Sequence, residues 1–271
     1  MTNQTFQDVN IPRIARQQTF FLNGKIEKSI ECLKAYCPEE GYYLCHSFGK
    51  DSCVLYALAL MAGVKCDSHF HRSTVDPPEL LSFGREFYSD VTIEKPPDSM
   101  FKLIRRQGIP PTRRMRYCCR IFKEEYGVGR IVLTGVRAQE SRTRADRQMV
   151  SQCPRMSKII VNPIVDWTEI DVWDFLYAYE VPYSPLYDEG CRRLGCIGCP
   201  AAYFRTRIAE FERWPKFFRA YLRCFDQLIE EKERTWKSGE EVMRWWMEES
   251  RWKAHDHKQF ESLLDLTGGG K

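Results

Sequence analysis

The 271 residues carry 41 lysines and arginines against 37 acids, a formal charge of +4, and 43% of them are hydrophobic. That length and apolar share support a real core in one sizeable domain, or in one domain with a smaller appendage, and exclude a disordered or fibrous chain. The charge is mild and lacks the dense Lys/Arg runs of a dedicated nucleic-acid arm. Residues 1–10 have no apolar signal core and no run of 18 apolar residues occurs, so no membrane partner and a cytoplasmic location are expected. In such a compartment the twelve cysteines read as thiols or metal ligands rather than disulfides.

In chain order, residues 26–36 have helical spacing of apolar side chains. A short apolar strand at 42–45 then runs into a tight loop, 47–52, and a second helical run through Met61. Residues 66–71 read as a strand, Pro77-Pro78 opens a helix through Tyr88, and 91–94 is another short strand. The next buried strand is 131–134, ending in Gly135-Val136-Arg137. Residues 159–161 precede an amphipathic helix at 168–179 whose N-cap is Thr168. Strands alternating with helices predict an α/β fold: an open, mostly parallel sheet of about five strands flanked by helices.

Past Pro200 the chain turns helical and aromatic, with Phe204, Phe211, Phe218, Tyr221, Phe225, Trp246 and Trp252 among others. Large apolar residues at helical spacing are first of all a buried face. Arg205, Arg207, Arg213, Lys216 and Arg219 lie among them as a candidate contact to a macromolecule. Residues 268–271, Gly-Gly-Gly-Lys, read as a frayed tail. The expected organisation is an N-terminal helical segment (1–40), a nucleotide-binding α/β domain that carries the metal-site cysteines (41–200), and a helical C-terminal extension (201–271).

Ser47-Phe48-Gly49-Lys50-Asp51-Ser52 falls between a strand's carboxyl end and a helix N-terminus, where open parallel sheets bind ligands. Gly49 permits close backbone approach. The free N–H groups of the helix start attract phosphate oxygens, and Ser47, Lys50 and Ser52 add donors. Asp51 suits a magnesium ion. The Walker A spacing is absent. The string resembles the PP-loop of the ATP pyrophosphatase and phosphoadenylyl-sulfate reductase superfamily, commonly S-G-G-x-D-S, with Phe48 in place of the first glycine. The resemblance extends through residues 134–144, Thr-Gly-Val-Arg-Ala-Gln-Glu-Ser-Arg-Thr-Arg, through Asn162-Pro163-Ile164-Val165-Asp166-Trp167 with Asp171-Val172-Trp173, and through Pro182 to Tyr187. On these motifs the chain is identified as a member of the phosphoadenosine phosphosulfate reductase family, which implies an adenine nucleotide alpha-hydrolase-like fold and ATP or adenylyl sulfate as ligand. Residues 134–144 resemble the family's second anion-binding segment, which implies nucleotide contacts from Gly135, Arg137 and Arg144, and guanidinium forks suit sulfate or phosphate. Residues 74–79 leave another strand end and are a candidate border for adenine or substrate.

Cys118-Cys119 and Cys196-Ile197-Gly198-Cys199 offer four thiolates in two tight pairs, enough for tetrahedral zinc or a 4Fe-4S cube. The arrangement resembles the tandem-Cys and distant C-x-x-C signature of adenylyl-sulfate reductases, which implies that Cys118, Cys119, Cys196 and Cys199 ligate a 4Fe-4S cluster, with zinc as the alternative. Cys45, Cys53, Cys66 and Cys224 read as small buried hydrophobes. Cys153 and Cys191 are left without a role. Arg113, Arg114, Arg116, Arg120 and Lys123 make the tandem pair's surroundings basic.

Two enzyme readings follow, with Lys50, Asp51 and Arg137 as the catalytic set. A lysine-bearing PP-loop resembles enzymes that split ATP between the α- and β-phosphates, adenylate a substrate oxygen and let sulfur displace AMP. Sulfonucleotide reduction, releasing sulfite with AMP or its 3′-phosphorylated form, is the alternative. The family's C-terminal Glu-Cys-Gly nucleophile has no counterpart after Cys224. A non-catalytic nucleotide-sensing or partner-binding module is the third reading. The partners expected are a nucleotide, a sulfur donor or thiol reductant protein, a tRNA or DNA acceptor, and a second copy in a homo-oligomer.

Overall fold

In the computed structural model, residues 16–232, 236–248 and 254–265 are described. Residues 1–10, Trp252 and 268–271, which the sequence singled out, lie outside them.

β1 (Tyr42–Cys45) is apolar on both faces, with Tyr42 and Leu44 fully buried, as suits an inner strand covered by helices on either side. It pairs in parallel with β2 (Cys66–His71) and with β4 (Ile131–Leu133), so that Leu44 faces both Ser68 and Leu133. β3 (Thr92–Glu94) extends the β2 side, and β6 (Lys158–Val161) extends the β4 side. The order is β3-β2-β1-β4-β6-β5, a sheet of six strands rather than about five. The additional one, β5 (Val150–Cys153), pairs antiparallel with β6. Its sequence, Val-Ser-Gln-Cys, is too short and polar to announce a strand, and backbone pairing along the β6 edge supplies what apolar burial does not.

The helices are α1 (Arg16–Ala35), α2 (Lys50–Ala62), α3 (Pro78–Phe87), α4 (Met100–Gln107), α5 (Tyr117–Cys119) continued by a wide turn (Arg120–Glu124), α6 (Glu169–Ala178), α7 (Phe204–Arg213), α8 (Pro215–Lys232), α9 (Gly239–Glu248) and α10 (Ala254–Asp265). α6 begins as its sequence implies: Thr168 and Asp171 cap one another's backbone N–H groups. None of the helices is long and apolar enough to cross a membrane, among the described residues.

The chain forms two compact units that interleave in sequence. The first, built from Met1–His71, Pro78–Glu94 and Glu125–Leu194, holds the sheet with α1, α2, α3 and α6. The second takes Arg72–Pro77, Lys95–Glu124 and Gly195–Lys271, and thus α4, α5 and α7 to α10. The linear segments 41–200 and 201–271 therefore do not coincide with the units. In the second unit Phe211, Phe218, Phe225, Trp246 and Phe260 are fully buried beside Leu103, Ile104 and Phe122. Each such side chain contributes about 2–3 kcal/mol relative to exposure. The aromatic tail is a packing core, and Arg207 is buried within it. Arg207 is thereby removed from the candidate macromolecule surface, while Arg205, Arg213, Lys216 and Arg219 remain exposed.

Candidate nucleotide loop and cysteine site

After β3 at one edge, the chain returns to form β4 on the other side of β1, so the strand order reverses between these two neighbours. Ligands of open parallel sheets bind at such a switch point, outside the carboxyl ends of the strands. β1 leads into residues 47–52 and β4 into residues 134–137. Phe48 adopts a left-handed backbone (φ 56°), which ordinary L residues avoid. It is held there because its N–H donates to Nδ1 of the buried His46 at 3.1 Å and its ring stacks on Phe70 at 4.4 Å. The turn that results brings Ser47 and Ser52 together. The Ser47 Oγ accepts from the Gly49 N–H at 3.3 Å, and the Ser52 Oγ accepts from the Ser47 N–H at 3.2 Å and donates to the Gly49 carbonyl at 2.8 Å. Gly49 is the N-cap of α2 and provides no side-chain cap, leaving the first amides of the helix to other partners. One of them is Tyr187, whose hydroxyl accepts from the Lys50 N–H at 3.0 Å.

The charges converge on Asp51. The Lys50 side chain is only 6% exposed, and its Nζ lies 3.1 Å from Asp51 Oδ2 and 3.7 Å from Glu169 Oε1. From the β4 side, buried Arg137 donates through Nε to Asp51 Oδ1 and through Nη1 to Gln139 Oε1 at 3.3 Å. A Cβ at Gly135 would stand 3.0 Å from the Asp51 carbonyl oxygen, so the β4 loop lies directly against the first turn of α2. Arg144 pairs with Glu140, whose other oxygen accepts the Arg137 N–H at 3.0 Å. The geometry therefore gathers Ser47, Gly49, Lys50, Asp51, Ser52, Gly135 and Arg137, and ties Arg144 in through Glu140. Two cations meeting on one carboxylate beside an uncapped helix start are groups of the kind that bind phosphate oxygens. Sequence reasoning missed His46, Gln139, Glu169 and Tyr187 here. Gln139 and Tyr187 carried a signal, each as part of a family-like motif. Burial pushes the Tyr187 phenol above the usual range, so it is a neutral hydroxyl.

In the second unit, Cys118, Cys119, Cys196 and Cys199 line one cavity together with Lys123 and Ser73. α5 carries the tandem pair. The second pair sits on a tight turn in which the Cys199 N–H donates to the Cys196 carbonyl at 3.2 Å. Gly198 makes that turn with φ 73°, and a Cβ there would lie 2.6 Å from the Phe211 ring. The hydrogen bond from Cys118 holds the Cys119 thiol below its ordinary range, with help from Lys123 and Arg116, while the same pairing drives Cys118 upward. Burial raises Cys196, opposed by Lys123. Among the described residues no three His, Cys, Asp or Glu side chains close on a single ion. Tetrahedral zinc needs its sulfurs about 2.3 Å from one centre, whereas a 4Fe-4S cube takes one thiolate per iron. Four cysteines lining one cavity offer ligands of the type that either centre uses.

The remaining cysteines are not among the residues that line this cavity. Cys53 and Cys224 are buried, and burial pushes both thiols up to about 12. Cys45 and Cys66 are half-buried. Cys153 and Cys191 belong to the first unit. Residues 74–79, a candidate adenine border, divide between the units. Thr74 Oγ1 accepts from the Met100 N–H at 2.8 Å and the Val75 carbonyl from the Ile197 N–H at 2.8 Å, both within the cysteine unit, whereas Pro78 already opens α3.

Residues 41–202 match the family model described as the phosphoadenosine phosphosulfate reductase domain. An adenosine 5′-phosphosulfate reductase of Staphylococcus haemolyticus is 30% identical over 190 residues, covering 65% of this chain and 76% of that one. An uncharacterized protein of Methanocaldococcus jannaschii is 29% identical over 212 residues, and the chain spans about half (51%) of its length, with 72% of this chain covered. Among solved structures, the phosphoadenylyl-sulfate reductase of Candida auris in its phosphate complex shares the fold, with a TM-score of 0.50 at 19% identity over 69% of this chain and 98% of that one. The matched region contains the loop, the Arg137 segment and all four cavity cysteines, and it stops just before α7. With more than half of its residues under that one model, the chain belongs to the phosphoadenosine phosphosulfate reductase family, nucleotide-binding enzymes of sulfur metabolism.

Proposed function

We propose that the chain binds ATP at residues 47–52 and transfers its adenylyl group to an acceptor oxygen, releasing pyrophosphate, as the activating step of a sulfur transfer in which AMP then leaves. The observation that carries this reading is Lys50, a buried ammonium at the start of α2 that shares Asp51 with Arg137. Lys50 and the α2 amides bind the β- and γ-phosphates, and Arg137 neutralises charge that develops on the α-phosphate. Arg144 adds a second guanidinium. Asp51 would hold a Mg²⁺ ion, which when bound would neutralise phosphate charge. Cys118, Cys119, Cys196 and Cys199 would hold a 4Fe-4S cluster, which when bound would supply a site for passing sulfur or electrons. A sulfur donor or thiol reductant protein, a tRNA or DNA acceptor and a homo-oligomeric assembly complete this reading.

The names of the relatives favour a second reading, reduction of adenylyl sulfate or its 3′-phosphorylated form. A thiolate would attack sulfur, expel AMP or its 3′-phosphate, and be cleared by a thiol reductant with release of sulfite. An anaerobic assay separates the two. Cluster-replete protein is given radiolabelled ATP, or in parallel each sulfonucleotide with a thiol, and pyrophosphate, AMP and sulfite are scored. Pyrophosphate from ATP supports adenylation. Sulfite without ATP cleavage overturns it in favour of reduction.

A further inference from the structure

The family match ends at residue 202, yet the wall of the four-cysteine cavity includes Tyr221 from α8 and Trp246 from α9. Arg207 of α7 lies against this wall with no solvent exposure. Its guanidinium carbon is 4.1 Å from the centroid of the Trp246 ring, and its Nη1 donates to the Trp246 carbonyl at 3.0 Å. The indole is anchored in turn, its Nε1 donating to the Pro111 carbonyl at 2.7 Å. Removing a cation from water costs several kcal/mol and needs compensating negative charge. Burial lowers the guanidinium only to about 10, so it stays charged at neutral pH. Glu210 and a deprotonated Cys199 favour that charge, with Arg113 opposing. Glu210 also accepts the Gly198 N–H of the C-x-x-C turn at 2.7 Å, so this carboxylate is fixed on the turn that carries Cys199.

We infer that Arg207 is a second resident counter-charge of the four-cysteine site, behind Lys123 of the cavity lining, and a positioning residue contributed by the C-terminal helices that favours the more negative, reduced state of the group held there. The inference rests on the cluster reading given under Proposed function. A cluster bound by four thiolates is anionic, and its potential follows its net charge, hydrogen bonds and solvent exposure. Arg207 supplies a fixed positive charge, and the surrounding aromatic wall keeps water from screening it.

The test is anaerobic reconstitution of the full chain, iron and sulfide determination, and a redox titration followed by electron paramagnetic resonance. Wild type, Arg207→Gln and Arg207→Lys are compared. Arg207→Gln should retain iron and sulfide while its reduced-to-oxidised ratio at a fixed potential falls about tenfold, equal to 59 mV for one electron. Arg207→Lys should stay close to wild type. An unchanged ratio in Arg207→Gln overturns the inference and leaves the cluster standing. A tenfold fall in Arg207→Lys also overturns it, because charge would then not be what matters, and this arm decides the case if the glutamine variant does not fold. Zinc, or no iron, in the wild type overturns the cluster reading itself and the inference with it.

Discussion

The Lys50 amide donates to the Tyr187 hydroxyl at 3.0 Å, across 137 residues of sequence. A neutral phenol thus occupies an amide at the start of α2 that an anion would use. Tyr187→Phe frees this N–H. We expect the unliganded protein to lose about 1 kcal/mol of stability, the worth of one hydrogen bond, and the affinity for ATP to rise about fivefold because a competitor of that strength is gone. Thermal unfolding and calorimetric titration with ATP check the two effects. Weaker ATP binding would show that the hydroxyl is a ligand and not a competitor.

Lys50, Asp51 and Arg137 act as one charged unit. Lys50→Ala and Asp51→Ala should each lower ATP-dependent turnover on the order of 100-fold, the scale of losing one preorganised electrostatic contact, without unfolding the first unit. Arg137→Met should lower turnover similarly and also destabilise the protein by about 2 kcal/mol, because its loss leaves Asp51 with one cation; the figure is kept below that for a fully buried pair by the 23% exposure of the Asp51 side chain. Pyrophosphate release and urea unfolding of each variant measure the two quantities.

Phe48 reaches its left-handed backbone only because its ring is gripped on all sides, and Gly84 on α3 is part of that grip. A Cβ at Gly84 would lie 2.3 Å from the ring. Gly84→Ala should destabilise the first unit by about 2–3 kcal/mol through overpacking and weaken nucleotide binding by shifting the loop. Phe48→Gly removes the backbone strain but empties a buried ring site, and should cost more than it relieves. Equal stability of wild type and Gly84→Ala in chemical unfolding would refute this account.

His46 gives the fold a pH dependence. Burial lowers its imidazole to about 3, so it stays neutral in the native state. The unfolded chain binds its proton near pH 6.5. Between those values the unfolded state holds more protons, so the His46 contribution is fully present above about pH 6.5 and declines as pH falls toward 3, by up to about 1.4 kcal/mol per pH unit. His46→Asn, which keeps an acceptor for the Phe48 N–H, should flatten the fall. Unfolding free energies of both proteins from pH 7 to pH 4.5 provide the comparison.

Cys118→Ser and Cys199→Ser should each abolish the brown colour of a reconstituted cluster, whereas Cys224→Ser should keep it. Cys224 is buried and donates to the Phe101 carbonyl at 3.4 Å, a packing role. Visible absorption with iron analysis reads the result. Equal colour in all three would dismiss the ligand set.

By itself the sequence determined the features that arise from local physics. β1 coincides with the apolar stretch 42–45, since a strand covered on both faces must be apolar, and β2 coincides with residues 66–71, read as a strand between turn signals. Thr168 capped α6 as its neighbours implied, and the phosphate-type loop and the two cysteine pairs were legible because each is a short string. Tertiary structure decided the rest through contacts between residues far apart in the chain. β5 exists because β6 offers it an edge. Arg207, which on its helix reads like any surface cation, is interior because Trp246 stacks on it. Segments 72–77 and 95–124 joined the C-terminal helices in one unit because their apolar side chains pack with α8 and α9. Pairing, stacking and core partnership of this kind depend on which surfaces meet, and no local pattern of residues encodes that.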